Sequence, residues 1–99
     1  MKIFFTIFYT IICYCSVSAQ YNLTFASEFI YPDTIQMSGC WGYNSPDGKE
    51  YALVGTSYGT SIVDITNPST PNQLFFIPGP QSTWREIKTW DNHAYVTTE

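Results

Sequence analysis

The segment Gly59-Thr60-Ser61-Ile62-Val63-Asp64-Ile65-Thr66-Asn67-Pro68-Ser69-Thr70-Pro71 decides how this chain is read. Its first half is β-branched and apolar on consecutive positions, so a strand here has both faces covered rather than one face in water. Its second half stops the strand, because Asn67-Pro68 removes a backbone donor and favours a turn, and Pro71 repeats the block. Just upstream, Tyr51-Ala52-Leu53-Val54 has the same two-sided texture, with Ser57-Tyr58-Gly59 as a short hairpin connection between the two.

Working outward, the chain from Gln20 onward reads as all-β. Short aromatic and β-branched runs are punctuated by Pro, Gly, Asn and Asp about every ten residues, and no segment has a 3.6-residue period. The expected strands are Tyr21–Tyr31, with a break inside it, then Ser38–Tyr43, Glu50–Gly55, Thr60–Thr66, Gln73–Ile77, Trp84–Trp90 and Ala94–Thr98. Asp47-Gly48 suits the turn after Tyr43, and Pro78-Gly79-Pro80 is a breaker that a central strand does not tolerate.

The N-terminus lies outside this pattern. Lys2 is followed by an apolar run from Ile3 to Ile12 and a small-residue tail, Ser16-Val17-Ser18-Ala19. That order is a secretory signal peptide, residues 1–19, with cleavage after Ala19. The run is short for a membrane span, which needs roughly 20 apolar residues. Cys13 and Cys15 have bulky neighbours, Ile12 and Tyr14, that disfavour lipidation. Cleavage leaves three basic residues (Lys49, Arg85, Lys88) against eight acidic ones, a net charge of −5. Nucleic acid and anionic lipid are poor partners for such a chain, since both rely on clustered Lys and Arg. The remaining chain has one cysteine, Cys40, and so no internal disulfide, although small secreted domains usually lean on them.

The chain also echoes itself. Ala94-Tyr95-Val96-Thr97-Thr98 lies under Ala52-Leu53-Val54-Gly55-Thr56 at an offset of 42 residues, with Ala, Val and Thr identical. A four-stranded propeller blade repeats at about 40–45 residues. The expected organisation is therefore a signal peptide (1–19), a lead-in (20–37) and a repeat region (38–99) holding one four-stranded blade and half of a second. A blade buries its faces only against neighbours, and about three or more repeats are needed for stability. Leu53, Val54, Ile62, Ile65, Phe75 and Phe76 are thus expected to lack cover on at least one side, and the chain is expected to be the N-terminal piece of a longer protein.

With these residues in hand, a family resemblance becomes visible. Ala52-Leu53-Val54-Gly55 followed by Gly59, Ile62, Val63, Asp64, Asn67, Pro68 and Pro71 resembles the LVIVD repeat. Together with Cys40-Trp41-Gly42-Tyr43, Asp47-Gly48-Lys49-Glu50-Tyr51 and Pro78-Gly79-Pro80-Gln81-Ser82-Thr83-Trp84-Arg85, the region from Ser38 to Glu99 is similar to the start of choice-of-anchor B family proteins. The resemblance implies a secreted or surface-attached, most often bacterial, protein with propeller-like repeats and a variable C-terminal anchor. It implies no established biochemical activity.

Candidate chemistry is sparse, and each candidate has a structural reading beside it. Asp64 in an apolar strand could serve as a metal ligand or base; as a recurring motif residue it is expected to accept hydrogen bonds from the turn around Asn67. His93 lacks the partners that nucleophilic catalysis or zinc would require and is expected to be a turn residue. Cys40 is expected to pack as a small apolar side chain. Trp84, Arg85 and Glu86 follow a Pro- and Gly-rich loop and form a possible binding rim, or a structural cluster. Trp41, Tyr43, Tyr58 and Trp90 raise the idea of sugar stacking. Asn22-Leu23-Thr24 is an N-glycosylation sequon, idle in a bacterium. No cofactor is expected. The reading is a secreted or cell-surface, non-enzymatic binding scaffold for an extracellular protein or glycan, without membrane insertion once the signal is cleaved. Its rivals are an enzyme whose catalytic residues lie in further blades and a small carbohydrate-binding β-sandwich.

Overall fold

A computed structural model describes residues 22–99, and the expected signal peptide lies outside them. Among the described residues the chain is all-β and without helix. Strands β1 (Met37–Asn44), β2 (Glu50–Thr56), β3 (Gly59–Asp64) and β4 (Asn72–Pro78) form an antiparallel meander in the order β1-β2-β3-β4. β5 (Arg85–Trp90) and β6 (His93–Thr98) form a separate antiparallel hairpin.

The turns follow from local chemistry. Gly48 takes φ 84 in the β1–β2 turn, where an L side chain would be strained. Asp91 and Asn92 take φ 46 and 61 between the paired residues Trp90 and His93, the positive-φ pair of a two-residue hairpin. β3 ends at Asp64 rather than at the expected Thr66, because the Asp64 carboxylate accepts from the Thr66 N–H at 2.9 Å and closes the exit turn. Asn67 does the same for the Ser69 N–H at 3.0 Å. Pro78 belongs to β4, against the expectation that it breaks the strand; β4 is an edge strand, where a missing donor costs no ladder bond.

Register divides the four-stranded sheet into two faces. Trp41, Leu53 and Ile62 are mutually opposed and share one face with Tyr43, Tyr51, Gly55, Thr60, Asp64 and Phe75. Ala52, Val54, Ser61 and Val63 share the other. The β5–β6 hairpin packs on the first face, over β1 and β2. Ile87 is 1% exposed and Leu53 5%, forming the buried centre of this contact with Trp41 beside it. The Trp41 indole N–H donates to the Thr89 hydroxyl at 2.9 Å, and Lys88 Nζ stands 3.7 Å above the Trp41 ring. The Tyr43 hydroxyl reaches Asn92 Oδ1 at 2.9 Å.

The lead-in covers the second face, in a form the sequence does not announce. Residues 22–36 form no strand, so the expected Tyr21–Tyr31 strand is absent from the described part of that range. The segment crosses the sheet instead of joining its edge, held by side chains: the Tyr31 hydroxyl donates to Ser61 Oγ at 2.7 Å, and the Ser27 hydroxyl donates to the Pro68 carbonyl. An apolar groove of about 470 Å³ remains beneath it, lined by Phe29, Tyr31, Val54, Val63, Ile65 and Pro68 among others. Of the side chains expected to lack cover, Leu53 is buried by the hairpin, while Val54, Ile62 and Ile65 are half-buried. Phe75 and Phe76 are exposed, at 59% and 36%.

At one end of the stack the two sheets approach backbone to backbone. A Cβ at Gly39 or at Gly55 would stand 2.6 Å from the Arg85 carbonyl oxygen. Both glycines are therefore required by contact rather than by conformation. Gly55→Ala forces the hairpin off the sheet, and overpacking of this kind costs about 1–3 kcal/mol. Urea unfolding of the full chain followed by tryptophan emission should show a lower midpoint for Gly55→Ala, with Gly42→Ala, whose Cβ would meet nothing within 4 Å, near wild type.

Candidate functional site

The close approach is fastened by Arg85, one of the expected rim residues. Its backbone N–H donates to Ser38 Oγ at 3.1 Å, and the Ser38 hydroxyl donates to its carbonyl at 3.3 Å. Its side chain, 3% exposed, runs under the Pro78–Trp84 loop. There Nε donates to the Thr56 carbonyl at 2.9 Å and Nη2 to the Pro80 carbonyl at 2.6 Å. A Cβ at Gly79 would lie 2.9 Å from Nη1, so a larger residue there would push the guanidinium tip aside. No carboxylate of the described residues pairs with this cation. The ion pair among them, Lys49 to Asp47 at 3.9 Å, lies at the far end of β2. Arg85 thus uses its fork on main-chain carbonyls, fixing the loop through charge-assisted bonds.

Alternation along β5 separates the expected rim. Arg85 faces the sheet, whereas Trp84 (61% exposed) and Glu86 lie on the outward side. The three therefore do not converge on one ligand. Gly59 is also pressed into the same end, since a Cβ there would clash with the Ile77 carbonyl. Asp64, Asn67 and Pro68 occupy the opposite end, in the β3 exit turn, with Ile62 and Val63 on opposite faces of β3 between them. The Thr66 hydroxyl and then its backbone N–H hold the Asp64 carboxyl below the ordinary carboxylate range. The Ser45 hydroxyl does the same for Asp47, assisted by Lys49.

The aromatics proposed for sugar stacking also disperse. Trp41 lies under Lys88, Tyr43 stacks on Tyr51 at 6.3 Å, and Tyr58 in the β2–β3 turn and Trp90 at the end of β5 stand at opposite ends of the molecule. Cys40, on the edge strand β1, is exposed, not packed. His93 is exposed, its Nδ1 2.7 Å from the Asp91 carbonyl. No group of three or more His, Cys, Asp or Glu among the described residues could hold a metal ion.

What the Arg85 end does assemble is a polar cup, lined by Gln36, Ser57, Gln81, Ser82, Thr83 and Glu99. Ser57 organises it. Its N–H donates to the Gln36 carbonyl at 2.8 Å, its hydroxyl accepts from the Gln36 N–H at 3.2 Å, and its carbonyl accepts from the Ser82 N–H at 3.0 Å. The Ser82 hydroxyl donates to the Trp84 carbonyl at 2.7 Å and accepts from the Trp84 N–H at 3.1 Å. Four segments distant in the chain meet here, which is why no local motif announced the cup.

Neither a family model, a curated protein nor a solved structure matches the chain.

Two outcomes follow from this geometry. Arg85→Met keeps the apolar stem and removes two charge-assisted bonds to main-chain carbonyls, the one to Thr56 buried, a loss of about 3 kcal/mol; limited proteolysis should then cut within 78–84 under conditions that spare the wild type. For Asp64 the folded-state pKa is lowered, so its contribution is complete above the unfolded value of about 4 and disappears as pH falls through the lower folded value. Melting temperature measured downward from about pH 4 should decline less in Asp64→Asn than in wild type.

Proposed function

We propose that this chain is the N-terminal part of a secreted or cell-surface repeat protein of the choice-of-anchor B kind. In this reading its LVIVD-like units are propeller-type blades serving as a non-enzymatic scaffold for an extracellular protein or glycan. The observation that carries the reading is the way facing is preserved at the 42-residue offset. Ala52 and Val54 share the face of their sheet that the lead-in crosses. Ala94 and Val96, one offset later, pair with Thr89 and Ile87 on the side of the hairpin turned toward the first sheet. Leu53, on the covered face of the first sheet, corresponds to Tyr95, on the outward side of the hairpin. Each unit thus offers one face backward and the other forward, as a stack of like sheets requires.

The bare surfaces agree with further stacking. The hairpin leaves β3 and β4 half-covered, with Leu74, Phe75 and Ile77 at 41%, 59% and 56% exposure. The forward side of the hairpin presents Trp84, Trp90 and Tyr95 at 61%, 76% and 57%. Apolar surface on this scale marks an interaction face. Two further strands beside β6 would cover β3 and β4, and a further blade would cover the hairpin. A closed sandwich, by contrast, leaves no reason for the facing to repeat.

Export and repetition are tested together on the native protein. Intact mass and N-terminal sequencing of the polypeptide recovered from the medium or cell surface should begin at Gln20 and contain further Gly-x-x-Ile-Val-Asp-like segments about 42 residues apart. Recovery from the cytoplasm with Met1 or Lys2 at the N-terminus would contradict export, and a product without further such segments would contradict the repeat scaffold.

A further inference from the structure

We infer that the cup at the Arg85 end binds a neutral saccharide. This rests on the extracellular scaffold reading above and gives it a ligand class and a place. The cup has a volume of about 350 Å³, within the range of small-ligand sites. The hydroxyls of Ser57 and Ser82 are engaged by backbone, as described, and serve as its frame. The side-chain amides of Gln36 and Gln81 and the hydroxyl of Thr83 have no protein partner among the described residues, and all three residues are exposed. Two amides, each donor and acceptor, with a hydroxyl and a carboxylate form a complementary set for vicinal hydroxyl groups.

Other ligand classes fit poorly. An anion meets Glu99 in the cup, and the one nearby cation is turned away, since the Arg85 guanidinium is directed to the Thr56 and Pro80 carbonyls beneath the loop. A metal cation finds one carboxylate where oxygen-ligated ions take several. Trp84 follows directly on Thr83 with its ring 61% exposed, which places a flat apolar surface next in sequence to the polar set.

The loop is also rigid enough to present these groups. Ser82 N–H to Ser57 O, Gly79 N–H to Tyr58 O at 2.9 Å and Arg85 to Pro80 O pin it at three points. The loop backbone that carries Gln81 and Thr83 is thus held before a ligand arrives, which lowers the entropic cost of weak polar binding.

Saturation-transfer NMR on the full chain decides the matter, using the methyl glycosides of glucose, galactose, mannose and N-acetylglucosamine, with glucuronate as the charged counterpart. We expect transfer to the ring protons of at least one neutral glycoside and none to glucuronate. Gln81→Ala and Thr83→Ala should each weaken that binding about fivefold, the loss of one hydrogen bond. Trp90→Ala, at the last residue of β5 and the other end of the hairpin, should leave it unchanged. No transfer to any neutral glycoside, transfer undiminished in both variants, or equal transfer to glucuronate would overturn the inference. Because all three substitutions fall on exposed side chains, a far-UV circular dichroism spectrum matching wild type separates lost recognition from lost fold. The N-terminal sequencing result stands apart from each of these outcomes, so a failure of saccharide binding is distinguishable from a failure of the scaffold reading.

Discussion

Everything at the Arg85 end of this molecule depends on one close approach, the Arg85 carbonyl seated against Gly39 and Gly55. With any side chain at those two positions, the hairpin backbone could not reach the sheet, because a Cβ would already lie 2.6 Å from that oxygen. Given the approach, Ser38 can bond both the N–H and the carbonyl of Arg85, and the guanidinium can reach Thr56 and Pro80. A buried cation held by carbonyls alone is sensitive to its surroundings, since each carbonyl lost leaves charge without compensation. The glycines, the serine and the loop glycine Gly79 therefore act as one unit.

The same approach sets how the two layers face each other. Once Arg85 is placed, alternation carries Ile87 onto Leu53 and Thr89 onto Trp41, and sends Trp84, Glu86 and Trp90 to the far side. The inward side of the hairpin and the first face of the sheet are thereby brought together. The lead-in occupies the corresponding backward face of the first layer, but by side-chain hydrogen bonds and with a 470 Å³ groove left open. A strand layer packs more densely than that, and protein interiors are close-packed. The lead-in is thus a partial cover for that face.

Much of the strand layout was legible because it rests on local chemistry. Ile62-Val63 and Leu53-Val54 are β-branched or bulky and apolar on both sides, and the Asn67-Pro68 and Asp91-Asn92 turns carry their own backbone preferences. The lead-in misled for an equally physical reason. Phe25, Phe29, Ile30 and Tyr31 have strand-like composition, yet a strand needs an edge to pair with, and this segment makes its contacts across a face. Arg85 was singled out, but its burial could not be read from Trp84-Arg85-Glu86, because its partners lie 29 residues back at Thr56 and 47 back at Ser38. The cup was invisible for the same reason, since Gln36, Ser57 and Gln81 are distant in sequence and meet only once β1 pairs with β2 and the loop after β4 folds back onto Ser57.

The stacking is tested most directly by nuclear Overhauser contacts in the isotope-labelled full chain. Gly39 and Glu86 are brought together at the junction, where a Cβ on Gly39 would lie 3.4 Å from the Glu86 Cα. A strong cross-peak between the Gly39 and Glu86 Hα protons, with a slowly exchanging Arg85 amide, is the predicted result. Absence of that cross-peak, with the Arg85 amide exchanging as fast as the β6 edge, would contradict the account.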